Sequence, residues 1–381
     1  MINKLFIVIF FSFIFSVNSA PIILVHGFMG WGPEELGDFK YWGGKVDLEM
    51  YLTELGYEVY TVSIGPISSD WDRAVEVFYQ IKGGQVDYGQ AHSAEYGLIQ
   101  KPEGKFYDGF YPEWSETHPV HIIGHSQGGQ TARMLEYLLK LKNENESSNL
   151  LSINHTNWIK SVTAISSPLN GTTLAPLITK TFPFVTKLLK WVGVLTEDRL
   201  IENVYDFDLE QWGFAQKENE SISDYHNRLS EIKIGDSKNS AAWDLSLMGA
   251  DEFNLKYNTD IGTYYFTFPT FSTVEETNYQ HVPDKKMSWN LRLTSYFMGR
   301  FSNENAEWNE NDGIVNTASM YAPLTEPSTV FNGISQKGIW QTIEKVHLDH
   351  HQILGRSASD EQINLMLEKF TTHCKLLWSL D

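Results

Sequence analysis

Cysteine is almost absent from the 381 residues: Cys374 is alone, so no intramolecular disulfide can form and the fold must rest on its core. Positive charge is scarce, with 29 Lys and Arg against 48 Asp and Glu and a formal charge of −19. A surface that negative is repelled by phosphate, which argues against a nucleic-acid partner and against electrostatic docking on anionic membranes. Long apolar runs are missing after the first twenty residues, so no later segment can span a bilayer. Low-complexity tracts and internal repeats are also missing. Aromatic residues are plentiful at 14%, with 12 Trp, 18 Tyr and 22 Phe, which excludes a chain that is disordered throughout.

The N-terminus carries Lys4, an apolar stretch from Leu5 to Phe15 broken only by Ser12, and then Val17-Asn-Ser-Ala20. One positive charge, a short apolar core and small residues after it match a secretory signal peptide, with cleavage expected after Ser19 or Ala20. The mature chain from residue 20 onward is expected to be one domain. Asn-x-Ser/Thr sequons at Asn145, Asn154, Asn170 and Asn219 are compatible with secretion without establishing it.

Pro21-Ile-Ile-Leu-Val25 is a β-branched run ending at His26-Gly27, as a buried strand entering a turn would read. A helix is expected from Asp47 to Leu55, closed by Gly56, followed by a strand at Tyr57–Val62. Further strands are predicted at Val120–Ile123, Trp158–Ile165, Thr263–Phe268 and Ile339–Val346. Strands this far apart, with helices between, predict an α/β fold with a mostly parallel central sheet and helices on both faces.

Gly124-His125-Ser126-Gln127-Gly128 fits G-x-S-x-G between a predicted strand and a predicted helix whose apolar face carries Met134, Leu135, Leu138 and Leu139. A sharp strand-to-helix turn exposes the serine hydroxyl at a helix N-terminus, and small flanking residues let neighbouring backbone pass. A serine nucleophile needs a histidine base and an orienting acid. The chain order Ser, acid, His points to the C-terminal Leu348-Asp-His-His-Gln352. His350 is the chosen base, and spacing alone leaves His347 and His351 as alternatives. Asp312, in Asn311-Asp-Gly-Ile-Val-Asn316, is the acid candidate, although Asp before Gly is also an ordinary β-turn. Backbone N–H groups of Gln127 and of Phe28, in His26-Gly-Phe-Met-Gly30, are the expected oxyanion donors.

The chain resembles the large secreted lipases of Staphylococcus and of thermophilic Bacillus relatives. The resemblance runs through His26-Gly-Phe-Met-Gly-Trp31, Lys40-Tyr-Trp-Gly-Gly44, Gly65-Pro66, Ser69-Asp-Trp-Asp-Arg73, Val86-Asp-Tyr-Gly89, Ala91-His92, His121–Leu135, Val204-Tyr-Asp-Phe207, Asp312-Gly-Ile-Val-Asn-Thr317 and Asp349-His350. It implies an α/β-hydrolase fold, a triacylglycerol lipase, and a triad of Ser126, Asp312 and His350. It also reinterprets Ala175–Leu195, whose Val185, Leu188, Leu189 and Val192 fall on one helical stripe. By itself that stripe reads as core packing; the resemblance makes it a lid within an insertion spanning 175–240. The same resemblance implies a zinc subdomain with Asp72, His92 and Asp244 as ligands. The fourth ligand position falls on Leu98, which cannot coordinate, so Glu95 or water would have to complete the site. The family's calcium site has a carboxylate two residues after the catalytic histidine, where this chain has the neutral Gln352, so calcium is not expected. The substrate expected is a neutral lipid ester at an oil–water interface, which suits the negative surface better than strongly anionic phospholipid. An esterase, phospholipase or acyltransferase on the same scaffold is the alternative, and a non-catalytic lipid-binding protein the remote one.

Overall fold

Seven strands form a wholly parallel central sheet in the computed structural model, which describes residues 20–175, 207–215, 217, 220–221, 224–225, 228, 237–301 and 306–381. In chain order the strands among the described residues are β1 (Ile22–Val25), β2 (Val59–Thr61), β3 (Gly84–Gln85), β4 (Phe106–Tyr107), β5 (Val120–His125), β6 (Ile159–Ile165), β7 (Tyr264–Phe268), β8 (Thr273–Glu275), β9 (His281–Pro283), β10 (Ser328–Val330) and β11 (Trp340–Thr342). The central sheet has the order β10-β11-β7-β6-β5-β1-β2, while β3–β4 and β8–β9 are separate antiparallel pairs. The expected signal peptide, and all of the expected lid beyond Ala175, lie outside the described residues.

Burial of both sheet faces explains why the strands read as unbroken apolar runs. Ile22 and Leu24 point into one core with Ile123, Phe266 and the C-terminal helix residues Phe370 and Leu377. Ile23 and Val25 point into the other with Ile122, Val162, and residues of α2 (Asp70–Lys82) and α4 (Gln127–Lys140), the short helix α3 (Gln90–Tyr96) lying between those two in the chain. In α4, Met134, Leu135, Leu138 and Leu139 are buried as their spacing predicts. Helix α1 (Leu48–Glu54) starts at Asp47, whose carboxylate accepts the Met50 N–H at 3.0 Å, and Ser69 caps α2 by accepting the Asp72 N–H at 3.1 Å. The C-terminal helix Asp360–Trp378 opens with a capping box between Ser359 and Gln362. It ends by donating Trp378 Nε1–H to the Ala20 carbonyl at 3.1 Å, which ties the two ends of the described chain together.

Two expectations change. The strand expected over Ile339–Val346 shortens to Trp340–Thr342, because Val346 leaves β11 and bridges Thr270 instead. The sequon at Asn170 is buried: its amide donates to the carbonyls of Ser319 and Ala322 at 3.3 and 2.8 Å, which leaves no room for a glycan. Asn145 and Asn154 are exposed, and Asn219 lies outside the described residues. Among the described residues no helix is long and apolar enough to cross a membrane.

Candidate active site

The central strand β5 delivers Ser126 to the end of the sheet, and α4 begins at the next residue. Ser126 has φ 55 and ψ −126, a left-handed conformation unfavourable for a side chain with a Cβ. Packing holds it there. A Cβ on Gly124 would lie 2.3 Å from the Gly128 carbonyl carbon, and one on Gly128 would lie 2.2 Å from the Val25 carbonyl oxygen, so both glycines are required by close approach of backbone. Gly27 is equally confined, since a Cβ there would meet the Ser126 Cβ at 2.6 Å. The loop after β1 is therefore pressed against the serine turn.

That loop carries Phe28. Among the described residues no backbone acceptor takes the N–H of Phe28 or of Gln127, which leaves both free to meet a negative oxygen. The loop is braced from below by the buried Arg73, which donates to the carbonyls of His26 and, at 2.9 Å, Gly65, and through Nε to Thr131 Oγ1 at 3.0 Å. His26 donates Nδ1–H to the Gly27 carbonyl at 2.9 Å and accepts the Ile64 N–H at 3.2 Å. Burial, aided by the Arg73 charge, lowers its pKa to about 3, so it stays neutral and keeps both bonds.

Asp312 is fully buried. Its Oδ1 accepts the N–H groups of Ile314 and Val315 at 3.0 and 2.8 Å, as a β-turn aspartate would. Its Oδ2 accepts from Thr270 Oγ1 at 2.8 Å and from His350 Nδ1 at 2.7 Å. The sequence offered the turn and the acid as alternatives, and Asp312 has the geometry of both. The three histidine candidates separate clearly: His350 meets Asp312, His347 stands half-exposed 3.5 Å from Asp284, and the buried His351 ring leaves Nδ1 without a partner. The His350 backbone N–H also donates to the Asp312 carbonyl at 3.1 Å.

A second histidine, missed in the sequence reading, joins these pieces. The Gly27 N–H donates to Tyr41 Oη at 2.8 Å, which directs the Tyr41 hydroxyl proton to His125 Nδ1 at 2.7 Å. His125 Nε2–H then donates to the His350 carbonyl at 3.0 Å, and the two imidazole centroids stand 4.6 Å apart. Burial and the neighbouring His350 hold His125 well below the usual histidine range, while burial raises the Tyr41 phenol to about 12, so the proton pattern is fixed across ordinary pH. The motifs contained both residues, but 84 positions separate them and no sequence signal pairs them.

Asp349 and Gln352 build the far side of the histidine loop. Asp349 accepts the N–H groups of Ser288, His351 and Gln352 at 2.7, 2.9 and 2.9 Å. Gln352 accepts the Asp349 N–H at 3.2 Å and donates Nε2–H to the Lys286 carbonyl at 2.8 Å. An amide N–H aimed at that carbonyl has the wrong polarity for a cation between the two, so the residues present do not fit a calcium site.

Asp72 meets His92, and Asp244 meets the first residue of α2, two positions before Asp72. His92 Nε2 lies 2.8 Å from Asp72 Oδ1, Asp72 Oδ2 accepts from Asn239 at 3.0 Å, and Asp244 Oδ2 accepts the Asp70 N–H at 2.6 Å. His92, Glu95 and Asp244 line a cavity of about 360 Å³. Burial raises the Asp70 carboxyl to about 6, and burial together with the charges of Asp70 and Asp72 raises Asp244 well above the carboxylate range. Neutralising this carboxylate cluster is what a cation would do. Even so, the described residues contain no group of three or more His, Cys, Asp or Glu that could hold a metal ion.

Residues 18–375 match the family described as lipase-like, C-terminal domain. The chain is 35% identical over 358 residues to a lipase of Staphylococcus hyicus and 37% identical over 360 residues to lipase 1 of Staphylococcus aureus, in each case over 90% of its own length. It spans about half the length of those relatives, 55% and 52% respectively. Among solved structures it is similar to EstA from Clostridium botulinum, with a TM-score of 0.85 and 34% identity over 94% of this chain and 87% of that one. It is also similar to Staphylococcus hyicus lipase, with a TM-score of 0.82 and 33% identity over 95% and 96%. With lipase 1 from Pelosinus fermentans the TM-score is 0.81 and the identity 36%, over 96% and 100%. The parallel sheet, the serine turn and these likenesses together show that the chain belongs to the lipase family, on an α/β-hydrolase fold.

Proposed function

We propose that the protein is a secreted lipase that hydrolyses carboxylic ester bonds of acylglycerols through Ser126, His350 and Asp312. The observation that carries this reading is the bond of 2.7 Å from His350 Nδ1 to a buried carboxylate whose other oxygen is already occupied by two backbone N–H groups. Asp312 then fixes the proton on Nδ1 and leaves Nε2 as the base. Ser126 Oγ attacks the ester carbonyl as His350 takes its proton, and the tetrahedral oxyanion is held by the N–H groups of Phe28 and Gln127. His350 protonates the departing alcohol, and water repeats the sequence on the acyl-enzyme. The lid expected at Ala175–Leu195, within the 175–240 insertion, covers the cleft in this reading and opens at a lipid surface.

We further propose a structural zinc held by Asp72, His92 and Asp244, with water or Glu95 in the fourth position. The clustered carboxylates support it, and the ion takes no step in the ester chemistry.

The deciding experiment is reaction with a serine-directed phosphonate, followed by mass spectrometry and emulsion assay. One adduct on the peptide containing Ser126, with activity lost in parallel, is expected; labelling elsewhere, or activity retained after full labelling, overturns the reading. Profiling emulsified long-chain against soluble short-chain esters separates a lipase from an esterase or phospholipase on the same scaffold.

A further inference from the structure

In a chain with far more acid than base, residues 285–301 read Lys-Lys-Met-Ser-Trp-Asn-Leu-Arg-Leu-Thr-Ser-Tyr-Phe-Met-Gly-Arg-Phe, with four basic residues and no acidic one. A 3₁₀ turn, Trp289–Leu291, leads directly into the helix Arg292–Met298. Its two faces are sharply different. Leu291, Thr294, Ser295 and Met298 are buried, one helical spacing apart. The opposite stripe is apolar and turned to solvent: Trp289 is 66% exposed, Leu293 67%, Tyr296 44%, Phe297 58% and Phe301 50%. Five large apolar side chains at i, i+4, i+7, i+8 and i+12 make a contiguous exposed band of a kind that soluble surfaces seldom leave without a partner.

The buried face sits on the loop that carries Asp312. Thr294 Oγ1 donates to the Gly313 carbonyl at 2.6 Å, Asn311 Nδ2 donates to the Ser295 carbonyl at 3.2 Å, and a Cβ on Gly313 would strike Leu291 at 2.8 Å. Just ahead of the helix, the Ser288 N–H is held by Asp349, next to His350. Whatever the exposed band touches is thus joined rigidly to the loops of the acid and the base.

We propose that this helix is a fixed interfacial anchor, which seats the protein on a neutral-lipid surface bearing fatty-acid carboxylates. The reading rests on the lipase function above, since hydrolysis of glycerides deposits those carboxylates where the enzyme works. Apolar side chains enter the acyl boundary while the basic residues meet the anionic charge, the combination that holds amphipathic helices at interfaces. Lys285 and Lys286 are exposed; Arg292 and Arg300 are partly so, with Arg300 lying over the Tyr296 ring at 3.7 Å and 3.3 Å from Glu276. An anchor here departs, at one patch, from the expectation that the negative protein avoids anionic lipid.

The test uses Ser126→Ala protein, which binds without turnover, and phosphatidylcholine vesicles with and without oleate at mildly alkaline pH. Flotation and a blue shift of Trp fluorescence are expected to favour oleate vesicles. The set Trp289→Ser, Leu293→Ser, Phe297→Ser should weaken binding at least about tenfold, and Lys285→Gln with Lys286→Gln should remove the preference for oleate. With Ser126 restored, the apolar triple variant should lose emulsion activity while retaining its rate on a soluble short-chain ester and its melting temperature. Undiminished vesicle binding by the triple variant, or equal binding with and without oleate, overturns the anchor. A native chain that cleaves no ester at all overturns the lipase reading instead, whatever the binding shows.

Discussion

The hydroxyl of Tyr41 donates to Nδ1 of His125 across 2.7 Å and, through that ring, supports the backbone carbonyl of His350. Three parts of the site, the loop of Phe28, the turn of Ser126 and the loop of His350, are therefore registered against one another by a phenol and a neutral imidazole. Replacing Tyr41 by Phe keeps the packing and removes both bonds. A fall in kcat of about tenfold with KM nearly unchanged is expected, along with a loss of about 1–3 kcal/mol in urea unfolding from the stranded polar groups. A KM effect alone would mean that Tyr41 serves substrate binding.

Asp312→Asn retains shape but presents an amide to His350, which can reverse the imidazole tautomer. Activity should drop by roughly 10³- to 10⁴-fold while thermal stability changes little, measured by steady-state rates and melting curves. Full activity would remove Asp312 from the mechanism.

Addition of excess calcium to zinc-saturated protein should leave the melting temperature unchanged, because the Gln352 amide already spans to the Lys286 carbonyl. Gln352→Ala should cost about 1–2 kcal/mol of stability, and Gln352→Glu should introduce a stabilising response to calcium that the native chain lacks. A native chain stabilised by calcium would refute the amide strut.

Zinc is checked by elemental analysis of purified protein and by melting curves of Asp72→Ala. About one zinc per chain, and a loss of stability in the variant that excess chelator reproduces in the native chain, are the expected results. Metal-free protein of unchanged stability would remove the proposal.

Acid should weaken the fold in a definable window. Burial holds His26, His121 and His373 down to about 3, and His125 and His351 are held well below the usual range. Between about pH 6.5 and pH 3 the unfolded chain takes up protons on these rings and the folded chain does not, so stability falls as pH falls, by of order 1 kcal/mol per pH unit for each ring. The carboxyls of Asp70, raised to about 6, and of Asp244, Asp349, Glu136 and Glu49, also raised by burial, act in the opposite direction, so the histidine part is read by difference. Urea midpoints measured from pH 7 to pH 4 should fall more steeply in the native chain than in His373→Gln, and equal slopes would contradict the neutral assignment.

The sheet and the serine turn were legible because burial on both faces leaves strands uniformly apolar and because close backbone contact at Gly124 and Gly128 admits nothing larger. Chain order pointed to Asp312 and His350 without separating His350 from His347 and His351, because the bond from His350 to the buried carboxylate forms only through tertiary folding. The edge strand Ser328–Val330 was illegible, since all three of its residues are exposed and no pattern marks them. The Tyr41–His125 pair escaped because its partners meet only through tertiary folding. The burial of the Asn170 sequon was illegible for a related reason: a tripeptide carries no record of burial.

The parallel register has a further consequence, for the order of events during synthesis. β1 is the earliest of the described strands, yet it lies inside the finished sheet, with Ile22 facing Val59 on one side and His121 on the other. Its second neighbour comes roughly a hundred residues later, so loop closure delays completion of the site until much of the chain exists. The serine turn, which leaves β5, can be completed only once β5 has joined β1.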